Sequence, residues 1–226
     1  MSFKSKILFF LLFAINVNSF SQADSTQRKS KVLGLAIAPV FSYASFQSEP
    51  YIIDSLNLPS PKSINKPGLG ISFTFDIPIT TKLYLRPGIE TVMLPSKIAF
   101  ETKEQLQTTT QVVPMSIDLP LGIYYAPAGF SVKNQQQPAG SYFGVVARAV
   151  FPFQGLLPIK PALQPVIPHV DVIAGYHWYS GKSFKRAELF FSLALMDYMT
   201  HVETEIQWRA VKQYYRNFGG IRMIFN

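Results

Sequence analysis

The chain ends FGGIRMIFN, residues 218–226. Ile221, Met223 and Phe225 alternate there with Gly220, Arg222 and Ile224. Successive side chains of a strand point to opposite faces, so this period of two describes a strand with one apolar face and one face that carries an arginine. No acidic residue stands near Arg222 in sequence. Its guanidinium therefore needs either water or a carboxylate from another strand, and the choice decides the fold. A soluble sheet would turn the arginine outward, whereas a closed barrel with an apolar outside would turn it inward.

Seven further segments alternate in the same way. Leu33, Leu35, Ile37 and Phe41 stand against Gly34, Ala36, Ala38 and Ser42, and Ile71, Phe73, Phe75 and Ile77 against Gly70, Ser72, Thr74 and Asp76. Leu83, Leu85 and Ile89 oppose Tyr84, Arg86, Gly88 and Glu90, while Ile117, Leu119, Leu121 and Ile123 oppose Ser116, Asp118, Pro120 and Gly122. In the second half Phe143, Val145, Ala147 and Ala149 face away from Gly144, Val146 and Arg148. Val170, Val172, Ala174, Tyr176 and Trp178 likewise face away from Asp171, Ile173, Gly175 and His177. Leu189, Phe191, Leu193 and Leu195 oppose Arg186, Glu188, Phe190 and Ser192. Each strand has a continuous apolar face, and its other face mixes glycine, small polar residues and charge. A face exposed to water would carry lysine, threonine and glutamate, but here the cations are all arginine.

The N-terminus reads MSFKSKILFFLLFAINVNSFSQAD. Lys4 and Lys6 precede an apolar run from Ile7 to Ile15, followed by small and polar residues near Ser21 and Ala23. This is the layout of a secretory signal peptide over residues 1–21 with cleavage near 21 to 23, leaving 22–226 as the mature chain. The chain has no cysteine. A lipoprotein anchor, thiol catalysis, Cys-ligated zinc and disulfides are thereby excluded. Only 15% of residues are charged and 14% are aromatic, which suits a surface facing something other than water. No stretch after the leader approaches the roughly 20 apolar residues of a membrane helix. The pattern predicts an all-β chain, an eight-stranded antiparallel up-and-down transmembrane β-barrel with a side-chain-filled lumen, its strands about nine to eleven residues long.

The connections agree with both termini lying at the periplasmic end. The first, third, fifth and seventh, residues 47–67, 95–112, 152–168 and 200–212, are long and polar or proline-rich, as external loops are. The second and sixth, at 78–81 and 180–183, are tight turns. The fourth, 126–139, is longer than this alternation requires. The proline-rich run at 151–169 reads as a rigid external loop, since proline disfavours further strand pairing.

The inward residues form a charge network of Arg86, Arg148, Arg186 and Arg222 with Asp76, Glu90, Asp118, Asp171 and Glu188. An eight-stranded barrel is only wide enough for side chains to fill it, so Arg222 is expected to find a carboxylate across the lumen. The network is expected to be structural, with arginine favoured because its planar fork binds carboxylates bidentately and keeps its charge when desolvated. A basic periplasmic rim of Arg28, Lys29, Lys31, Lys82, Lys133, Lys182 and Lys185 offers a surface to a periplasmic or envelope protein partner, with outer-membrane lipid around the barrel. No nucleic-acid motif is present. G-x-S-x-G, H-E-x-x-H and phosphate-loop motifs are absent, and His169, His177 and His201 are too scattered for a metal site. No catalytic residue, metal or cofactor is expected.

The order YLRPGIE, SIDLPLGIYY, SYFGVVARAVF, DVIAGYHWYSGK, AELFFSLALMD and FGGIRMIFN, over about residues 68–226 with a leader ending SFSQ, resembles the PorT-like outer-membrane β-barrel family of Bacteroidota. The resemblance implies an eight-stranded outer-membrane barrel, and the family's name derives from a member associated with type IX secretion. The chain departs from the pattern in ending on Asn226 rather than the aromatic Phe225, and in its proline-rich first and third external loops. The expected role is that of a monomeric structural or interaction protein of the cell envelope, an accessory to protein secretion. An outer-membrane enzyme with an external-loop site and a small-solute channel are the alternatives.

Overall fold

The computed structural model describes residues 32–48, 60–101, 107–129, 139–153, 163–180, 183–200 and 211–225. The leader, His201 and the rim residues Arg28, Lys29, Lys31, Lys133 and Lys182 lie outside the described residues. Lys82 and Lys185 remain, both at the end of the barrel where β1 begins and β9 finishes.

The described chain forms nine strands: β1 (Val32–Ser48), β2 (Ser60–Ile64), β3 (Pro67–Pro78), β4 (Leu83–Glu101), β5 (Gln107–Tyr125), β6 (Gly140–Phe153), β7 (Ile167–Ser180), β8 (Ser183–Ala194) and β9 (Val211–Phe225). All pairings are antiparallel, β1 joins both β3 and β9, and β4 joins β5, which closes the sheet. β2 and β3 both run along β4, Ile64 opposite Lys97 and Leu69 opposite Met93. They are collinear, so the wall is an eight-stranded barrel. Closure leaves the membrane-level part of the wall with no edge, the condition for a sheet in hydrocarbon.

All eight alternating segments are barrel strands with the faces the sequence predicts. Along β6, residues 143, 145, 147, 151 and 153 are outward and at least partly exposed, while 142, 144, 146, 148 and 150 are buried. Phe143 and Phe153 are both 55% exposed and Val145 59%. Ten residue steps at ~3.3 Å, tilted by about 40°, give an apolar band about 25 Å tall, the height of a membrane barrel's outer belt. Tyr176 stacks on Trp178, rings 6.3 Å apart, near the terminal end of that band.

Four expectations need correction. The strands run from 12 to 19 residues apart from the short β2, longer than nine to eleven. The third connection is not a loop over 95–112, because β4 and β5 continue their hairpin from Lys97↔Gln111 to Glu101↔Gln107, past bulges at Ser96. The first connection contains β2. Backbone pairing needs no alternation of side chains, so strands continue beyond the band where lipid and lumen no longer sort residues by polarity. The seventh connection also starts early: β8 stops at Ala194, and Leu195–Thr200 continues irregularly between the β7 side and β9.

Candidate functional site

The lumen is the only place where the wall gathers chemistry-bearing side chains among the described residues. β1 supplies small residues there, Gly34, Ala36, Ala38 and Val40, all buried. The other strands bring in long charged ones, and the space over β1 receives them.

All nine predicted charges lie buried in one alternating chain of ion pairs. Asp171 accepts from Arg148 at 2.6 Å to Nη2 and 3.0 Å to Nε, a fork on one carboxylate. Arg148 Nη1 also reaches Asp118 at 2.9 Å and Glu90 at 2.6 Å. Glu90 in turn accepts from Arg222 Nη2 at 2.9 Å, and Arg222 Nη1 donates to Glu188 at 3.1 Å. Glu188 accepts from Arg86 and, at 2.8 Å, from the Tyr142 hydroxyl. Arg86 Nε donates to Asp76 at 2.7 Å, and Arg186 Nη1 meets the other Asp76 oxygen at 2.6 Å. Arg222 thus joins two carboxylates on different strands, β4 and β8, and links one half of the ladder to the other.

Aromatic side chains flank this ladder on both sides. Toward the terminal end, Tyr84 stacks on Tyr124 at 5.0 Å, Tyr142 packs against both, and His177 stacks on Tyr142. The Arg86 guanidinium lies 4.2 Å from the Tyr124 ring centre, a cation–π contact in a desolvated place. Toward the external end Phe190, Phe218 and His169 pack together, with Arg222 4.5 Å over Phe190. His177 does not form a dyad with Asp171, whose carboxylate is held by Arg148.

After β8 the chain continues between the residues that lead into β7 and those of β9. Tyr198 N donates to Tyr214 O, Tyr198 O accepts from Gln164 N at 2.8 Å, and Leu163 bridges Met199. One Asp197 oxygen accepts from the amides of Met199 and Tyr214, at 2.9 and 3.0 Å. Tyr198 is fully buried, its hydroxyl 2.8 Å from His169 Nε2, and His169 Nδ1 lies 2.9 Å from Ser192 Oγ. Ser192 and His169 make a serine–histidine pair. They are 0% and 1% exposed, and through Tyr198 they link β7 and β8 to the stretch after β8. Among the described residues no group of three or more His, Asp or Glu is placed to hold a metal ion.

Sequence reasoning missed a fifth lumenal arginine. Arg216 is fully buried on β9, its Nη2 3.4 Å from Ser116 Oγ and its guanidinium 5.5 Å from the Tyr198 ring centre. With it, the described lumen holds five arginines and five carboxylates. The signal was available: carrying the period of two back from Arg222 through Gly220 and Phe218 reaches Arg216 and Tyr214 on the same face.

No helix among the described residues is long and apolar enough to cross a membrane. No protein-family model matches the chain, and no curated protein matches it. Among solved structures the chain is similar to the outer membrane protein OprG from Pseudomonas aeruginosa, at 12% identity and a TM-score of 0.42, covering 86% of this chain and 94% of that one. The fold stands on the strand pairing and the sorted faces of this chain itself.

Proposed function

We infer that the protein resides in the cell outer membrane and works there as a structural or interaction component of the envelope, without catalysis and without a solute path. The observation that carries this reading is the continuous ladder Asp171, Arg148, Glu90, Arg222, Glu188, Arg86, Asp76 and Arg186, packed between two aromatic layers and covered by Tyr198. A conducting pore needs water in contact with its charged lining, whereas these charges are spent on one another. An enzyme needs its nucleophile within reach of substrate, and Ser192 is enclosed. What such a barrel offers to other molecules is its outside: the lipid belt, the terminal rim with Lys82 and Lys185, and the strands that project beyond the mouth.

The finer role, an accessory to protein secretion in the manner of PorT-like barrels, is supported by the residue resemblance alone. It is tested in a strain lacking the chain. Cargo that the wild type releases should accumulate in the periplasm of the deletion strain and be released again when the chain is restored. Unchanged release would remove the secretion role and leave the envelope role. Planar-bilayer recording tests the sealed lumen: the reconstituted protein should be silent, and steady conductance would favour the channel.

A further inference from the structure

Above the membrane belt β1 and β9 continue together as a ribbon, from Tyr43↔Asn217 through Ser45↔Tyr215 to Gln47↔Gln213. From Leu33 to Tyr43 is as many residue steps as from Phe143 to Phe153, so Tyr43 stands at the upper margin of the belt, and Ser45 and Gln47 rise past it. The period of two carries on, and these six side chains share the outer face of Leu35, Ile37 and Phe41 on β1 and of Ile221, Met223 and Phe225 on β9. The opposite face stays lumenal, with Ala44, Tyr214 and Arg216 buried. Tyr43 is 63% exposed and Gln47 is also exposed, while Ser45, Gln213, Tyr215 and Asn217 are half-buried.

This face is unlike either of its surroundings. The belt below it is apolar, and a face in water would gather lysine and glutamate. Here two tyrosines, three carboxamides and one serine stand in cross-strand pairs, none of them charged. Lys212 comes only at the bulge past Gln213. A tyrosine ring is a flat apolar surface with a polar tip, and carboxamide and hydroxyl groups both donate and accept. Asn217 Oδ1 accepts the Ala194 amide at 2.9 Å, which leaves its NH2 group as a donor. A pyranose has the matching chemistry, with C–H bonds on its flat face and hydroxyls around its edge. We propose that the outer face of this ribbon binds the sugar head of a glycolipid of the outer leaflet, with Tyr43 and Tyr215 as the stacking surfaces.

Continuity with the belt selects the occupant. The molecules whose chains cover Leu35 to Phe41 carry their heads beside Tyr43 to Gln47, a length of about 13 Å along the strand. A protein would have to displace that layer to reach the same face. A phosphate calls for arginine or lysine, and the six residues supply neither. What remains of a glycolipid head is its sugar, which is neutral, carries many hydroxyls and has a flat face that a phenol ring can cover.

The proposal rests on the reading of the barrel as an outer-membrane protein, and the two fail distinguishably. A photoreactive benzoylphenylalanine is placed at Ile37 or at Tyr43, both exposed, in the barrel as its host inserts it, and the adducts are identified by mass spectrometry. Ile37 should capture acyl chains, and Tyr43 should capture glycolipid through its sugar. No acyl capture at Ile37 would sink the membrane reading and the sugar face with it. Acyl capture at Ile37 with a protein adduct at Tyr43, a second copy included, or with acyl chains alone there, overturns the sugar face only. Recognition is separated from proximity by titrating the barrel in detergent with the acyl-free oligosaccharide of the host's glycolipid. The wild type should bind it, and Tyr43→Ser together with Gln47→Ala should weaken binding about tenfold. Both side chains are exposed, so the heat-shifted band on a gel should persist in that variant. Tyr43→Phe, which keeps the ring, should retain most of the affinity. Removing phosphate groups from the oligosaccharide should leave binding unchanged. Loss of binding on that removal would assign it to cations such as Lys212 and overturn the proposal, as would no binding at all or equal affinity in the double variant.

Discussion

Arg222 binds Glu90 with one nitrogen and Glu188 with the other, while its guanidinium covers Phe190. A buried ion pair is weak evidence of net stabilisation, because desolvation offsets the attraction, but removing one partner strands a buried charge. Arg222→Leu is therefore expected to destabilise the barrel by about 3–5 kcal/mol, read as the urea midpoint in lipid or detergent. Arg222→Lys should recover only part of that, since one ammonium cannot reach both carboxylates with a planar fork. An unchanged midpoint in Arg222→Leu would mean the guanidinium is in water. Glycines matter here where a ring lies on them. A Cβ on Gly144 would come within 2.4 Å of the Tyr124 ring, and one on Gly175 within 2.3 Å of Tyr142. Gly144→Ala should cost about 1–3 kcal/mol through overpacking, and Gly144→Ala combined with Tyr124→Leu should recover stability relative to Gly144→Ala alone. Failure of that recovery would place the strain elsewhere.

At the level of strands, the membrane-level wall was readable because each residue there must face either lipid or lumen, and the two sort by polarity at a period of two. Ile71 through Ile77 and Phe143 through Ala149 announced their faces for that reason. Above the belt the sorting ends. The extension of β4 to Glu101 and the pairing of β2 with β4 left no trace in the pattern, since backbone pairing needs no alternation of side chains. Arg216 was missed by stopping the last strand's alternation short, and Tyr198 because it follows the end of β8 in an irregular stretch held by Asp197, which accepts from the amides of Met199 and Tyr214. β9 faces lipid through Ile221, Met223 and Phe225, the first and last 54% and 42% exposed. Phe225→Asp should sharply reduce the amount inserted, measured as heat-shifting protein in the outer-membrane fraction. Normal insertion would put that face one residue out of register.

For the molecule as a whole, the apolar outside and the charged inside are one arrangement. A soluble sandwich would bury its apolar faces and leave arginine and carboxylate in water, whereas this chain exposes the apolar face of each barrel strand and buries the lumenal arginines and carboxylates of β3 to β9. The charged residues can be interior because a narrow closed barrel holds them within reach of one another. The most direct test of this inside-out wall is a cysteine scan along β6. The chain has no cysteine, so a spin label at residue 143, 145, 147, 149 or 151 reports on one place only. In reconstituted bilayers each of these labels should be accessible to oxygen and shielded from a water-soluble nickel complex, with the greatest contrast near 147. A label series open to the nickel complex and closed to oxygen would put the apolar face in water and contradict the membrane barrel.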